Sequence, residues 1–333
     1  MMLPFPTIGS PYSTSRGPIV GSDAKVLESL DTARRVAMSN CAVLVTGESG
    51  TGKELLIAAL HDASERRSAP LVTLNCGALP ESLLESELFG NVNVPASTQA
   101  PNEGRVHAAE GGTLLLDEIS ELSLNVQTKV MRLLQAREYT PVGAARSIKC
   151  DVRVVAATNR NLEAQVQKGL FREDLYYRIN VVHVHLPPLR ERGDDVCEIA
   201  KYCLRTAGER TGRSDVVGFT ESAYALLRAS DWTGNVRALE NAVERALLLT
   251  RTALIDASDF GPTVHAGAMV PAFTSPLVLP SDGLSLKRAV DEFENELIRQ
   301  ALSRTGGNKN RAAQLLGLNR TTLVEMVKRK KIG

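Results

Sequence analysis

A glycine-rich segment that ends in lysine, GESGTGK, offers the clearest chemistry in the sequence. It follows the apolar run Ala42 to Thr46 and precedes the helical pattern Leu55 to His61. Glycines let successive backbone N–H groups and a helix N-terminus point at phosphate oxygens, and the lysine adds a cation. The sequence therefore predicts a phosphate-binding loop formed by Gly47, Glu48, Ser49, Gly50, Thr51, Gly52 and Lys53.

Two adjacent carboxylates, Asp117 and Glu118, follow the apolar run Thr113 to Leu116. In ATPases with such a loop, the first holds Mg²⁺ and the second polarises a water toward the γ-phosphate. The pair alone would also suit an ordinary strand end, but together with the loop it predicts binding of ATP and Mg²⁺. Most such loops continue with Ser or Thr, whose hydroxyl contacts the metal. Glu54 stands there, so the metal is expected to depend more on Asp117.

Short apolar runs alternate with helical patterns through the first half of the chain. Such runs, buried on both faces, predict a parallel sheet covered by helices. The five predicted strands are 42–46, 71–74, 113–116, 152–157 and 181–186. After Leu189 strand signals stop, and helical patterns at 196–206, 221–229 and 236–250 predict a helical subdomain.

The remaining segments set the domain boundaries. Residues 1–18 are rich in Pro, Ser, Thr and Gly and are interpreted as a flexible leader, too short for a receiver or sensory domain. Residues 261–283 contain four prolines and no Lys or Arg, which is typical of a tether. We therefore expect an α/β subdomain at 19–190, a helical subdomain at 191–260 and a separate helical module at 284–333.

Composition excludes several classes of protein. With 43% apolar and 23% charged residues, the chain resembles a globular protein and not a disordered or collagen-like one. Five cysteines without a C-x-x-C pair indicate neither a disulfide framework nor a zinc site, and the histidines lack ligand spacing. No apolar run approaches the roughly 18 residues of a membrane span, so a cytoplasmic protein that does not contact membranes is expected.

The C-terminal end is basic: residues 306–333 hold seven Lys or Arg and one Glu, a balance of 7 − 1 = +6. This charge favours contact with nucleic acid, although a solvated lysine tail is the alternative. Asn308 can cap one helix, Gly317 can end it and Asn319 can cap another, which is helix-turn-helix spacing. An apolar stripe before it could form a dimer or pack on its own domain, and consists of Leu286, Val290, Phe293, Leu297 and Ala301.

These segments resemble those of a known family, the AAA+ bacterial enhancer-binding proteins that activate RNA polymerase carrying sigma-54. The match runs from Ile19 to about Phe260 and resumes from Leu284 to Gly333. GESGTGKE, Glu54 included, is that family's version of the loop. Seven further segments match it in order: LNCGAL, ESELFG, GGTLLLDE, AATNRNL, FREDLYYRIN, LPPLRER and WTGNVRALEN. The resemblance implies an AAA+ P-loop ATPase with a parallel sheet, a helical lid and a C-terminal all-α, Fis-type helix-turn-helix domain.

The resemblance also implies residue roles. Asn75 would hold and release Glu118, while Thr158 and Asn159 would sense the γ-phosphate. Arg172 and Arg178 would enter the neighbouring subunit's site as arginine fingers. The subunits would form a ring, a hexamer by family resemblance. Each arginine could instead pair with an acidic neighbour such as Asp174. The remaining nucleotide contacts that the resemblance implies are Ile19, Val20 and, in the lid, Arg237.

For the helix-turn-helix, the resemblance implies contact with DNA. Arg320, Thr321 and Thr322 would meet base edges in the major groove, and residues 328–331, including Lys328 and Arg329, would meet phosphates. Glu325 occupies a position that is more often basic in related modules. It could accept a hydrogen bond from a cytosine amine or lower the affinity for DNA.

One segment departs from the family pattern. Members that remodel sigma-54 carry GAFTGA after ESELFG, whereas residues 91–103 here read NVNVPASTQAPNE. The twenty residues between Gly90 and Gly111 include no Phe, Trp or Tyr that could anchor a partner. Either the protein cannot engage sigma-54 directly and acts with a competent relative, which we favour, or the altered loop contacts sigma-54 through Val92 or Val94.

These observations predict an ATP-hydrolysing, DNA-binding regulator of sigma-54-type promoters. The alternative is a DNA-binding repressor or scaffold in which ATP binding only controls assembly. A remodelling chaperone is disfavoured, because the chain ends in a DNA-reading module. Some regulators of flagellar genes look similar through LPPLRER and the lid, which suggests a role in motility.

Overall fold

The computed structural model describes residues 12–14, 17–92, 103–261 and, near the C-terminus, 295, 298–299, 301, 305, 308–315 and 318–330. The predictions for loop residues 93–102, for the tether beyond Gly261, for the stripe except Ala301, and for Lys331 therefore lie outside the described residues. Val92 is exposed, and Ala301 is buried in the core of the second unit. Within the predicted flexible leader, residues 12–14 form an antiparallel strand pair with residues 17–19. The chain divides into two compact units at residues 270 and 271, and each is described by itself.

A five-stranded parallel sheet forms the centre of the first unit. The strands up to residue 185 are β1 Tyr12–Thr14, β2 Gly17–Ile19, β3 Val43–Thr46, β4 Leu71–Asn75, β5 Thr113–Asp117, β6 Glu138–Tyr139, β7 Ile148–Lys149, β8 Arg153–Thr158 and β9 Val182–His185. The sheet has the order β4-β5-β8-β3-β9, while β1–β2 and β6–β7 are small antiparallel pairs. The predicted α/β class is confirmed, and every predicted strand of the sheet begins and ends within one residue of the observed one.

Helices bury both faces of this sheet, because alternate strand residues point to opposite sides. Leu44, Leu114 and Leu116 face one core, whereas Val43, Val45 and Leu115 face the other. The helices described in this subdomain are α1 Ala24–Ala37, α2 Lys53–Asp62, α3 Glu81–Phe89, α4 Gly104–Ala108, α5 Leu124–Ala136, α6 Leu162–Gln167 and α7 Glu173–Ile179. Helices α1 and α2 supply the core that contains Val43, and α3, α5 and α7 supply the other.

The helical subdomain, called the lid below, has a core of its own. It contains α8 Asp195–Thr211, α9 Glu221–Ala229 and α10 Asn235–Leu249 around the buried Trp232. The expectation that strands stop after Leu189 is wrong for one short pair, β10 Gly218–Phe219 and β11 Leu254–Ile255, which run parallel. Two residues are too few to produce a recognisable alternation. Nothing in the described part of the chain forms a helix both long and apolar enough to span a bilayer.

The second unit contains the two helices predicted for a helix-turn-helix. They are α11 Lys309–Leu315 and α12 Arg320–Lys330. The Asn308 side chain accepts hydrogen bonds from the backbone N–H groups of Asn310 and Arg311, so the predicted cap is confirmed. Ala312 and Ala313 are buried against Leu323, where small side chains let the two helices approach closely.

Arg153 ties the central sheet to the end of α1. Its buried guanidinium donates to the carbonyl oxygens of Ala37 (2.7 Å) and Val36 (2.9 Å). These groups belong to the last turn of α1, where carbonyls lack helical partners and a cation is favourable. Burial lowers the pKa of this arginine, because it disfavours the charged form.

We expect Arg153→Met to lower the free energy of unfolding by about 1–3 kcal/mol, because the Ala37 carbonyl loses its guanidinium donor, whereas the Val36 carbonyl keeps its hydrogen bonds from Ser39. Urea denaturation followed by circular dichroism measures this. Arg35→Met is the matched control, since it removes an exposed ion pair with Asp31 on the same helix and should cost less than about 0.5 kcal/mol. Equal midpoints for the two variants would contradict the prediction.

Candidate active site

The glycine-rich loop joins β3 to α2 at the carboxyl edge of the sheet. Gly50 and Gly52 adopt left-handed φ angles of 78° and 101°. A Cβ on Gly50 would lie 2.3 Å from the Gly234 carbonyl oxygen of the lid, so only glycine fits there. A Cβ on Gly52 would meet no atom within 4 Å. Gly52 caps α2 without a side-chain hydrogen bond, which leaves the helix N-terminus suited to an anion.

Lys53 is the buried cation of this loop. Its Nζ donates to the carbonyl oxygens of Gly47 (2.9 Å) and Glu48 (3.2 Å). Burial lowers the pKa of Lys53, and the charges of Glu118 and Asp117 partly counteract this effect. The predicted loop lysine and the two predicted carboxylates therefore lie within electrostatic range of each other.

The carboxylates lie where β5 ends. Asp117 is partly buried, and burial together with the charge of Glu118 raises its pKa. Glu118 has a left-handed φ of 52°, which turns its side chain away from the strand direction. Its Oε2 accepts a hydrogen bond of 3.1 Å from the backbone N–H of Asn159. A metal cation here would relieve the repulsion between two neighbouring carboxylates, so the donor set fits Mg²⁺.

The predicted sensor residues surround this edge. Asn75 pairs with Asp117 in the strand register, and its side-chain oxygen accepts from the Gly77 N–H at 2.9 Å. Thr158 ends β8, and its hydroxyl donates to Ser120 Oγ at 3.0 Å. In this conformation Glu118 is thus held by Asn159, and the switching contact with Asn75 stays a prediction.

The lid reaches the loop through the start of α10. The backbone N–H of Val236 donates to the Gly50 carbonyl (2.9 Å), and Asn235 Nδ2 donates to the carbonyl of Ser49 (3.0 Å) and to Glu48 Oε2 (3.1 Å). Asn235 Oδ1 accepts from the Leu189 N–H. Arg237, predicted as a nucleotide contact, is close enough that its charge lowers the pKa of Lys53.

Two arginines near the start of the lid also bind the phosphate loop. Arg190 donates to both oxygens of Glu48, at 2.9 and 2.6 Å, and the buried Arg192 donates to the Thr51 carbonyl at 2.7 Å. Sequence reasoning matched the segments that hold Arg190, Arg192 and Asn235 but assigned these residues no contact. Their only sequence signal is that they are polar and stand near the starts of helical elements. Most helix caps share this property, so it does not identify their partners.

Arg190 holds the pKa of the Glu48 carboxyl at about 2, with Asn235 contributing, against a usual value of 4.5. Because the folded-state pKa is below that of the unfolded chain, this contact stabilises the fold above pH 4.5. The contribution is lost as the pH falls toward 2. Glu48 is partly exposed, so the contact contributes less than about 1 kcal/mol.

In Arg190→Gln we expect the pKa of Glu48 to move most of the way back toward its usual value, because the charged donors are gone. Carboxyl ¹³C NMR titration, with the resonance assigned through Glu48→Gln, measures it. Lys25→Gln is the control, since it removes the neighbouring ion pair with Glu191 and should leave the pKa of Glu48 unchanged. An unchanged pKa in Arg190→Gln would show that Arg190 does not hold this carboxyl.

Both predicted arginine fingers are exposed. Arg172 pairs with Asp174 through Nε (3.0 Å) and Nη2 (2.7 Å), and Arg178 donates to the Leu134 carbonyl at 3.1 Å. The alternative pairing considered from the sequence is therefore present within the single chain. An exposed ion pair is weak, so it does not prevent either side chain from turning to a neighbour.

A pocket of about 310 Å³ lies between the first strands, the loop and the lid. Its walls are mostly apolar, as a base-binding pocket requires. Ile19 and Val20, predicted as nucleotide contacts, line it with Gly52, Ile199, Tyr202 and Val236.

In the second unit, Arg320, Thr321 and Thr322 are exposed in the first turn of α12. That position suits the predicted contact with base edges. The side chains of Glu325, Lys328 and Arg329 lie outside the described residues, although their backbone belongs to α12.

Three protein families match consecutive parts of the chain. Residues 19–185 match the family described as Sigma-54 interaction domain. Residues 190–272 match the AAA+ ATPase lid domain, and residues 289–329 match Bacterial regulatory protein, Fis family.

Curated relatives and solved structures match over most of the chain. It is 45% identical to the transcriptional regulatory protein ZraR of Escherichia coli over 313 residues, which cover 93% of this chain and 68% of ZraR. It is 41% identical to the regulatory protein AtoC of E. coli over 300 residues, 88% of this chain and 63% of AtoC. The structure of NtrX from Brucella abortus, solved in complex with ATP, is similar to this chain with a TM-score of 0.72 at 32% identity. The match covers 94% of this chain and 69% of the NtrX chain. The chain thus spans about two thirds of the length of these relatives.

Proposed function

The chain belongs to the sigma-54 interaction domain family of AAA+ proteins, and from this premise we propose that it hydrolyses ATP and regulates transcription from sigma-54-type promoters. The observation that carries the proposal is the convergence of Lys53, Asp117 and Glu118 at one edge of the sheet, beneath a lid that contacts the same loop. Hydrolysis of ATP to ADP and phosphate requires a cation, a metal ligand and a water-orienting carboxylate at one place.

Each residue has a role that its surroundings support. Lys53 neutralises phosphate oxygens, and the N-terminus of α2 adds its backbone N–H groups. Asp117 would hold Mg²⁺, with Glu54 at the position of the usual hydroxyl. The metal supplies charge neutralisation across the phosphates when bound. Glu118, whose carboxylate the Asn159 N–H orients, accepts a proton from the attacking water.

Hydrolysis is completed by a second copy of the chain. Arg172 precedes α7 and Arg178 lies on its exposed side, and we assign both to the site of the neighbouring protomer in a ring, a hexamer by family resemblance. An arginine supplied in trans stabilises the charge that develops on the phosphoryl group. A monomer should therefore hydrolyse ATP slowly.

The second unit binds DNA in this proposal. Exposed polar and basic side chains at the start of α12 meet base edges, and dimers of the unit bring rings to enhancer-type sites. The resemblance suggests flagellar promoters as one set of DNA targets of this cytoplasmic protein. Chromatin immunoprecipitation tests whether it binds them.

Contact with sigma-54 is the step at which this chain differs from remodelling members. Residues 91–103 lack the sequence GAFTGA, and the stretch between Gly90 and Gly111 has no Phe, Trp or Tyr. We infer that the protein acts together with a related enhancer-binding protein that makes this contact.

The test is retention of sigma-54 by rings trapped with ADP and aluminium fluoride, measured by size-exclusion chromatography. We expect none from this protein alone and retention once a GAFTGA-bearing relative is added. The control inserts GAFTGA in place of residues 93–98, which should produce direct retention. Tight retention by the unaltered protein alone would favour direct contact through the altered loop.

A further inference from the structure

The segment Gly17–Asp23, called the strap here, joins the two cores of the first unit. Ile19 packs against the sheet core that contains Val43, whereas the next residue, Val20, packs against the lid core. Both residues also line the 310 Å³ pocket. The wall of this pocket thus contacts both the sheet core and the lid core, which a movement of the lid would displace relative to each other.

A single buried carboxylate holds the strap to the lid. Asp195, the first residue of α8, is 3% exposed. Its Oδ1 accepts hydrogen bonds from the backbone N–H groups of Ser22 (2.7 Å) and Asp23 (3.2 Å), and Oδ2 accepts from Asp23 at 3.3 Å. The Ser22 hydroxyl approaches Oδ1 at 3.4 Å. Hydrogen bonds from backbone N–H groups to a carboxylate are directional, so they fix the path of the strap.

Gly21 makes this close approach possible. Its φ is +143°, and a Cβ there would lie 2.4 Å from Asp195 Oδ2 and 2.9 Å from its Cγ. The carboxylate cannot move aside without losing its bonds to Ser22 and Asp23. Any other residue at position 21 would therefore push the strap off the lid.

The charge of Asp195 has a nearby counterpart. The buried Arg192 guanidinium lies within electrostatic range of Asp195 and Asp23, and it donates to the Thr51 carbonyl in the phosphate loop. The strap, the start of α8 and the loop are consequently joined through buried polar groups.

We propose that Asp195 is a positioning residue that sets the base-binding wall of the nucleotide pocket and couples it to the lid. This rests on the proposed function, because it takes ATP as the occupant of the pocket. Asp195 is not among the described residues that line the pocket; it acts by holding the strap, which carries Ile19 and Val20. When the lid moves, Asp195 carries the strap with it, so occupation of the pocket by the base favours one lid position.

The test compares ATP with inorganic tripolyphosphate, which presents phosphates and no base, by isothermal titration calorimetry on the full chain. For Asp195→Asn we expect the Kd of ATP to rise about tenfold or more, because an amide offers only one acceptor to the strap. The Kd of tripolyphosphate should stay within about twofold, since Lys53 and the loop remain in place. Gly21→Ala, which keeps the carboxylate, should give the same selective loss.

Asp194→Asn is the matched control, because the adjacent carboxylate is exposed and pairs with Arg228 at the surface. It should bind both ligands as the wild type does. Equal ATP binding by Asp195→Asn, Gly21→Ala and wild type would overturn the inference, and so would an equal loss of both ligands in the two variants. A wild-type chain that binds neither ligand would instead overturn the proposed function.

Discussion

Steady-state phosphate release is expected to fall at least about 100-fold in Lys53→Ala and in Glu118→Gln, the loss that follows removal of one preorganised transition-state contact. Lys53 is the buried cation of the phosphate loop, and Glu118 is the carboxylate oriented by the Asn159 N–H. The variants should differ in ATP binding. Lys53→Ala weakens it because the phosphates lose a cation, whereas Glu118→Gln keeps it because the amide retains the shape of the side chain.

The measurement is phosphate release at protein concentrations where the wild type assembles, with ATP binding measured separately. Glu198→Gln and Lys201→Ala are the controls, since they carry the same kinds of change in an exposed pair on the lid helix α8. Both should release phosphate at the wild-type rate. If the wild type released phosphate no faster than Lys53→Ala and Glu118→Gln, the protein would not be an ATP hydrolase. The alternative of a DNA-binding scaffold whose assembly is controlled by ATP would then remain.

Much of this site could be predicted from the sequence because its parts are local. The loop, its lysine and the two carboxylates each sit at the end of an apolar run, and the carboxyl ends of parallel strands meet at one edge of a sheet. The predicted strand ends therefore place Lys53 near Asp117. Apolar spacing also predicted the bounds of α9, 221–229, which is observed at Glu221–Ala229, whereas α8, predicted at 196–206, extends from Asp195 to Thr211.

The contacts that organise the lid could not be predicted in this way. Asn235 lies 187 residues from Glu48, Arg190 lies 142 residues from it, and Asp195 lies 173 residues from Ser22. These are polar side chains on turns and at helix starts, where periodicity carries no information about partners. Only the tertiary fold brings them together, and each then contacts a backbone group or charge of the nucleotide site.

Together these contacts mean that the loop is held from two sides. Lys53 binds the loop carbonyls from within, while Asn235, Arg190 and Arg192 bind them or Glu48 from the lid side. A ligand that draws Lys53 toward phosphate would release the Gly47 and Glu48 carbonyls, whereas the lid-side hydrogen bonds go to other carbonyls of the same loop. Glu48 connects the two sides, because its carbonyl accepts from Lys53 and its carboxylate accepts from Arg190.

The double variant Arg172→Ala, Arg178→Ala is expected to lower phosphate release about 1,000-fold, within the range measured when an arginine finger is removed. Its own Lys53, Asp117 and Glu118 remain intact. If the arginines serve only their pairing with Asp174 and the Leu134 carbonyl, the loss should instead be small, because exposed contacts contribute little. Arg210→Ala, which removes an exposed pair with Glu244 on the lid, is the control and should keep the wild-type rate.

Mixing decides whether the arginines act in trans. The double variant has intact catalytic carboxylates, and Glu118→Gln has intact arginines, so neither ring hydrolyses ATP alone. In random rings mixed at equal amounts, about one quarter of the interfaces join an intact Glu118 to a neighbour with intact arginines, and phosphate release should recover to about that fraction. No recovery, in rings that mass spectrometry shows to be mixed, would place Arg172 and Arg178 in the site of their own chain. Since each parent protein is nearly inactive, recovery above their sum can come only from sites completed by a second copy.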